Sequence, residues 1–156
     1  MIARFACLAL IVLTAACDSS TDSFMFGPPS RDEVARATSP GGDVDAVLFE
    51  SNGGATTSFG YQVSLVPKGE PAEKAAEAAA LYAAVRSKSA YGVNLHWASP
   101  SLLWIEYESS RGAKVKQPTV FVAGREVTVE LYGGVTDPSA PSGGMLYNLQ
   151  GRPNDH

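Results

Sequence analysis

Short stretches in which apolar and polar residues strictly alternate limit this chain to a fold built largely on β-strands. In residues 61–66, Tyr61, Val63 and Leu65 share one side of the extended backbone. Because successive side chains of a strand point to opposite faces, such a stretch predicts a half-buried strand. Residues 126–132 repeat the pattern, with the valines and Leu131 expected to face inward.

The alternation and the turn residues between these stretches predict six strands, at residues 44–50, 61–66, 91–97, 102–107, 119–122 and 126–132. An alanine-rich segment, residues 72–86, lies between the second and third, with Pro71 before it. Alanine has the highest helix propensity, and the early glutamates and late basic residues suit the helix dipole. The sequence therefore predicts an α+β fold, a small and mostly antiparallel sheet with one alanine-rich helix packed on one face.

The N-terminus has the features of an export signal. Arg4 precedes a nine-residue apolar run, which is much too short to span a membrane as a helix. Leu13-Thr-Ala-Ala then leads into Cys17 and a strongly polar stretch, a pattern that resembles the bacterial lipobox. We predict cleavage before Cys17 and lipidation of its side chain. The alternative is an ordinary secretory signal cleaved at the same place.

These features divide the chain into four parts. Residues 1–16 are predicted to be a lipoprotein signal peptide, 17–38 a flexible tether from the lipidated cysteine, 39–132 the α+β domain, and 133–156 a disordered or loosely docked tail. Asp18, directly after Cys17, favours the periplasmic side of the inner membrane over the outer membrane. The expected partner of the N-terminus is therefore a membrane, reached through the lipid anchor.

The charge and the residue types narrow the functional classes. The formal net charge is −4, so the chain lacks the basic surface of a nucleic-acid-binding protein. His96 is the only histidine within the predicted domain, and no cysteine remains there, so we predict no metal site and no cofactor. No nucleophile, base and orienting group are spaced as catalysis requires, and we assign no catalytic residue.

Two segments, residues 39–50 and 54–65, resemble a family of short, membrane-anchored bacterial envelope proteins of unknown function. The resemblance extends over residues 38–107 and rests on a Gly-Ala-Thr-Thr loop between the first two strands. It continues in a tryptophan-bearing strand, matched by residues 93–97, and a Leu-x-Ile-x-Tyr strand, matched by residues 103–107. The family often has a cysteine where this chain has Gly53, so no cysteine-dependent role is implied here. The resemblance implies an envelope location and no particular activity.

The loop between the first two strands is the first candidate binding site. It comprises Asn52, Gly53, Gly54, Ala55, Thr56 and Thr57. Its glycines allow close approach by another backbone, and its hydroxyl and amide groups can hold an anion or a peptide edge. The alternative is a bulged hairpin whose threonines bond to their own backbone.

His96 and Trp104 are the candidate surface residues, since alternation places His96 opposite the apolar face and an outward Trp104 would form a partner-facing patch. The leading hypothesis is a non-enzymatic module that binds an envelope protein or another envelope component. The alternative is a small periplasmic hydrolase or ligand-binding domain that uses Thr56, Thr57 and His96. A pocket that encloses these residues would favour the alternative, and a flat sheet face that bears Trp104 would favour the binding module.

Overall fold

The computed structural model describes residues 30–87, 90–138 and 145. The described part of the chain forms eleven β-strands, with no helix among its elements. The strands are β1 Ser30–Thr38, β2 Val44–Asn52, β3 Gly60–Pro67, β4 Glu77–Tyr82, β5 Arg86–Ser87, β6 Ala90–Tyr91, β7 Asn94–Ser99, β8 Leu102–Tyr107, β9 Gly112–Val115, β10 Thr119–Val122 and β11 Arg125–Gly133.

The strands form two main sheets and one small ladder. The first sheet has the order β1-β2-β3-β4-β9, the second has the order β10-β11-β8-β7, and β5 pairs with β6. All pairings are antiparallel except that of β8 with β11, which are parallel neighbours. The β10–β11 hairpin turns through Ala123 and Gly124, both with positive φ, the backbone that a two-residue turn needs to match the twist of its strands.

The core lies where the inner faces of the two sheets meet. Val44, Ala46 and Leu48 of β2 belong to the same buried cluster as Leu103 and Ile105 of β8. The Trp97 indole N–H, on β7, donates to the Ala37 carbonyl oxygen at 2.9 Å and so ties the second sheet to β1. These contacts explain why the inward-facing residues of both sheets are apolar.

The predicted α+β class is wrong, because the alanine-rich segment forms a strand instead of a helix. Within residues 72–86, β4 pairs with β3 on one side and with β9 on the other. Ala79 and Leu81 point into the core. Helix propensity differs by only a few tenths of a kcal/mol per residue, and pairing along both edges with burial of one side outweighs it.

Five predicted strands are confirmed, as β2, β3, β8, β10 and β11, and the sixth is shifted to β7, with β6 before it. The sheet begins earlier than expected. Residues 30–38, placed at the end of the tether, form β1, which pairs with β2 along its whole length. Met145, in the predicted tail, is buried in the main core. The signal peptide, Cys17 and the first part of the tether lie outside the described residues.

A second, smaller buried cluster lies on the outer face of the first sheet, over β2 and the end of β3. Residues 68–76, here called the covering segment, follow β3 and fold back over the sheet. Ala72 of this segment is buried with Val47, Phe49 and Val66. Strand β2 is therefore buried on both of its faces, which explains its nearly continuous run of buried residues.

Candidate functional site

The Gly-Ala-Thr-Thr loop is held together by its own hydrogen bonds. The Asn52 side-chain oxygen accepts from the Gly54 amide at 2.9 Å, and the Thr57 hydroxyl donates to the Gly54 carbonyl at 3.2 Å. A Cβ atom at Gly53 would lie 2.7 Å from the Thr57 hydroxyl oxygen, so a side chain there would displace the Thr57 side chain. Ala55 and Thr56 are exposed. These bonds are those of a self-closed hairpin turn.

A cleft of about 330 Å³ lies beside the loop. Its lining residues are Thr57, Ser58, Phe59, Ala83, Ala84 and Arg86. The Arg86 guanidinium lies 3.6 Å from the centre of the Phe59 ring and 3.3 Å from a carboxylate oxygen of buried Glu50. Burial, and then the nearby charge of Glu50, raise the pKa of Tyr61, which lies buried behind this pair. Arg86 thus connects the lining of the cleft with a buried carboxylate.

His96 lies away from this cleft, on the outer face of the second sheet. Its side chain is 52% exposed, and its Nδ1 atom is 3.3 Å from a carboxylate oxygen of Glu106. Its ring centre is 5.6 Å from that of Trp104. The structure therefore brings together the two predicted surface residues, His96 and Trp104, and places them on a different sheet from Thr56 and Thr57.

Trp104 stands at the centre of this outer face. Its indole stacks on the Tyr132 ring with a centre-to-centre distance of 4.9 Å, and its N–H donates to a Glu130 carboxylate oxygen at 3.1 Å. Tyr132 is 47% exposed. The parallel pairing of β8 with β11 produces this arrangement, because it places Trp104 directly opposite Glu130.

The outer face of the second sheet is both aromatic and acidic. Phe121, on β10, is 74% exposed, and Glu126 lies directly opposite it on β11. We call this surface the acidic aromatic face, and define it as His96, Trp104, Glu106, Phe121, Glu126, Glu130 and Tyr132. It combines large apolar groups with carboxylates on one accessible side of a sheet.

Sequence reasoning missed part of this surface. The alternation that turns Val127, Val129 and Leu131 inward also turns Glu130 and Tyr132 outward, so the signal was present in the sequence. The position of these two residues beside Trp104 was not predictable from the sequence, because it depends on which strands pair. Arg86 was missed for another reason: its segment was interpreted as the end of a helix.

No three histidine, cysteine or acidic side chains of the described residues come together as metal ligands. The same residues include no helix with the length and apolar character to cross a membrane. Comparisons with protein-family models, with curated proteins and with solved structures found no match for this chain.

Proposed function

We propose that this protein is a lipid-anchored, non-enzymatic binding module of the bacterial cell envelope, whose partner docks on the acidic aromatic face. The observation that carries the proposal is the exposure of Tyr132, which stacks on Trp104, and of Phe121 on the same outer sheet face. Aromatic side chains are enriched at protein interfaces and supply much of their binding energy. Exposed apolar groups gathered on one face are typical of binding surfaces.

The anchor in this proposal is Cys17, supported by the short apolar run and the small residues before it. One acyl chain binds a membrane only marginally, whereas the several chains of a lipoprotein hold it stably. The periplasmic side of the inner membrane is the location that Asp18 favours. The hydrolase alternative loses its geometric support, because His96 lies on the second sheet and Thr56 and Thr57 lie in a loop of the first.

The docking face is tested by photo-crosslinking in cells. The photoreactive amino acid p-benzoylphenylalanine replaces Phe121 in one version of the full chain and Glu73 in the other. Glu73 is an exposed residue of the covering segment and serves as the matched control. We expect one discrete adduct from position 121, absent from position 73 and lost when Trp104→Ala is added. Identical adducts from both positions, or none from position 121, would overturn the docking face.

The anchor is tested separately by metabolic labelling with palmitate and by cell fractionation. We expect the wild-type protein to take up label and to remain in the membrane fraction. The Cys17→Ser variant should take up no label and leave the membrane. Labelling that persists in the variant would rule out Cys17 as the lipidation site, and a wild-type protein without label would rule out the anchor.

A further inference from the structure

We infer that the acidic aromatic face binds an arginine-rich polypeptide segment, whose guanidinium groups stack on Trp104 and pair with Glu130 and its neighbouring carboxylates. This inference rests on the proposed function, because it names the partner chemistry of the same face. Three observations carry it. The face is rich in carboxylates, Arg86 contacts both an aromatic ring and a carboxylate inside the molecule, and Trp104 lies next to Glu130.

The seven residues that define the face include three glutamates, and the one basic side chain among them is His96, which lies 3.3 Å from Glu106. The four strands of the second sheet, all of them described, contain one arginine and no lysine. That arginine, Arg125, pairs with Asp43 and donates to the Pro100 carbonyl at 3.5 Å. The resulting potential attracts a cationic partner.

Within this chain, one arginine already contacts an aromatic ring and a carboxylate at the same time. Arg86 lies over the Phe59 ring and bonds to Glu50, and Arg31 lies 3.7 Å from the centre of the Phe49 ring. Among the described residues, only these two arginines lie over aromatic rings. A planar, delocalised guanidinium suits both contacts at once, which the compact ammonium of lysine does less well.

The acidic aromatic face offers the same two groups to a partner. The hydrogen bond between the Trp104 indole and Glu130 holds ring and carboxylate side by side. Trp104 is only partly buried and Glu130 is exposed, so both remain accessible. We expect a guanidinium at the exposed part of the indole to contact the Glu130 carboxylate as well, in the way that Arg86 contacts both Phe59 and Glu50. Tryptophan is also the strongest aromatic partner for a cation.

The same charges disfavour the other occupants. A phosphate-rich partner, such as a nucleic acid or an anionic membrane surface, would meet carboxylates of its own sign. A second copy of this chain would bring two acidic faces together across a twofold axis. A neutral glycan gains the aromatic contacts but makes no use of the carboxylates.

The test uses the full chain, purified from membranes in a neutral detergent. The probe is a fluorescent peptide of alternating serine and arginine, and its anisotropy reports binding. Lysine and glutamate versions of the peptide and a soluble chitin oligosaccharide are the comparison ligands. Trp104→Ala and Glu130→Gln are the test variants, and Glu73→Gln removes a surface charge from the covering segment as the matched control.

We expect the arginine peptide to bind more tightly than the lysine peptide, and the glutamate peptide and the oligosaccharide not to bind. Trp104→Ala and Glu130→Gln should each weaken binding by about fivefold to tenfold, and Glu73→Gln should not. Added salt should weaken binding further, since exposed charges are screened.

Equal weakening in all three variants would show non-specific attraction to an acidic protein and overturn the inference. Binding of the oligosaccharide in place of the arginine peptide would overturn it as well. A position-121 crosslink without arginine-peptide binding would refute the partner chemistry alone. Absence of both the position-121 crosslink and arginine-peptide binding would refute the docking face as well.

Discussion

The outer faces of the two sheets differ in whether their large apolar side chains are covered by the rest of the chain. On the first sheet, Val47 and Phe49 are covered by the chain's own residues, with Ala72 packed against them. On the second sheet, Trp104 and Tyr132 stack on each other and stay accessible to solvent. Residues of the same chemical type thus stabilise the fold on one face and remain available to a partner on the other.

The polar residues of the two faces differ in the same way. Asp45 is almost fully buried beneath the covering segment, where it accepts from Arg36, the Thr38 hydroxyl and the Gly69 amide. Glu130 is exposed and accepts from the Trp104 indole. A buried carboxylate must have its hydrogen bonds satisfied within the fold, whereas an exposed one can exchange them with a partner.

The largest expected effect compares two phenylalanines that receive the same substitution. Phe49→Ala should lower the free energy of unfolding by about 3–5 kcal/mol, because the ring is 2% exposed and leaves a cavity. Phe121→Ala should lower it by less than about 0.5 kcal/mol, since that ring is 74% exposed. Urea unfolding measures both. Equal losses would remove the distinction between the two faces.

Replacement of Asp45 should have the next largest effect. Asp45→Asn should lower the free energy of unfolding by about 2–3 kcal/mol, because it leaves Arg36 without its buried partner. Glu130→Gln, on the other face, should lower it by less than about 0.5 kcal/mol. The two variants are compared by urea unfolding at neutral pH. A loss at Glu130 as large as that at Asp45 would contradict the assignment of Glu130 to an exchangeable surface.

The pH dependence of stability sharpens this second comparison. Burial alone would raise the pKa of Asp45, but hydrogen bonds from Gly69, Thr38 and Arg36 outweigh it and lower the pKa below its ordinary value of 3.8. The stability from this group is therefore complete above that value and is lost as the pH falls through the lower native pKa. Unfolding curves from neutral to acidic pH should show a shallower decline for Asp45→Asn. An unchanged slope would disprove the role of Asp45.

Trp104→Ala should change stability less than binding. The loss of the stacking contact with Tyr132 and of the bond to Glu130 should lower the free energy of unfolding by about 1 kcal/mol. Crosslinking from position 121 should disappear in the same variant while thermal unfolding remains cooperative. A loss as large as that of Phe49→Ala would make Trp104 a core residue and weaken the case for a binding face.

The smallest effect is expected for the pair of His96 and Glu106. Because the His96 side chain is 52% exposed, their coupling should be about 0.3 kcal/mol, measured below pH 6 by a double-mutant cycle of His96→Gln and Glu106→Gln. It should decrease with added salt. A coupling above about 2 kcal/mol would indicate a buried pair and would contradict the solvent exposure of the acidic aromatic face.

The candidate site could be predicted from the sequence only in part. Alternation, a local property of one strand, predicts His96 on the surface, whereas for Trp104 the sequence left both an outward position and a core position open. The sequence did not predict that Glu130 and Tyr132 join them, since β11 begins more than twenty residues after Trp104. The Gly-Ala-Thr-Thr loop was identified as well, and the structure shows Thr57 bonded to the loop's own backbone.

The sequence by itself determined where most strands lie and which of their sides face inward. The alternation of residues 61–66 and 126–132 decides this locally, because successive side chains of a strand point to opposite faces. Only the tertiary structure decided that residues 77–82 form a strand between β3 and β9, and that β8 lies parallel to β11. Both depend on pairing between distant segments, whose combined burial and hydrogen bonding outweigh the local preference of alanine for helix.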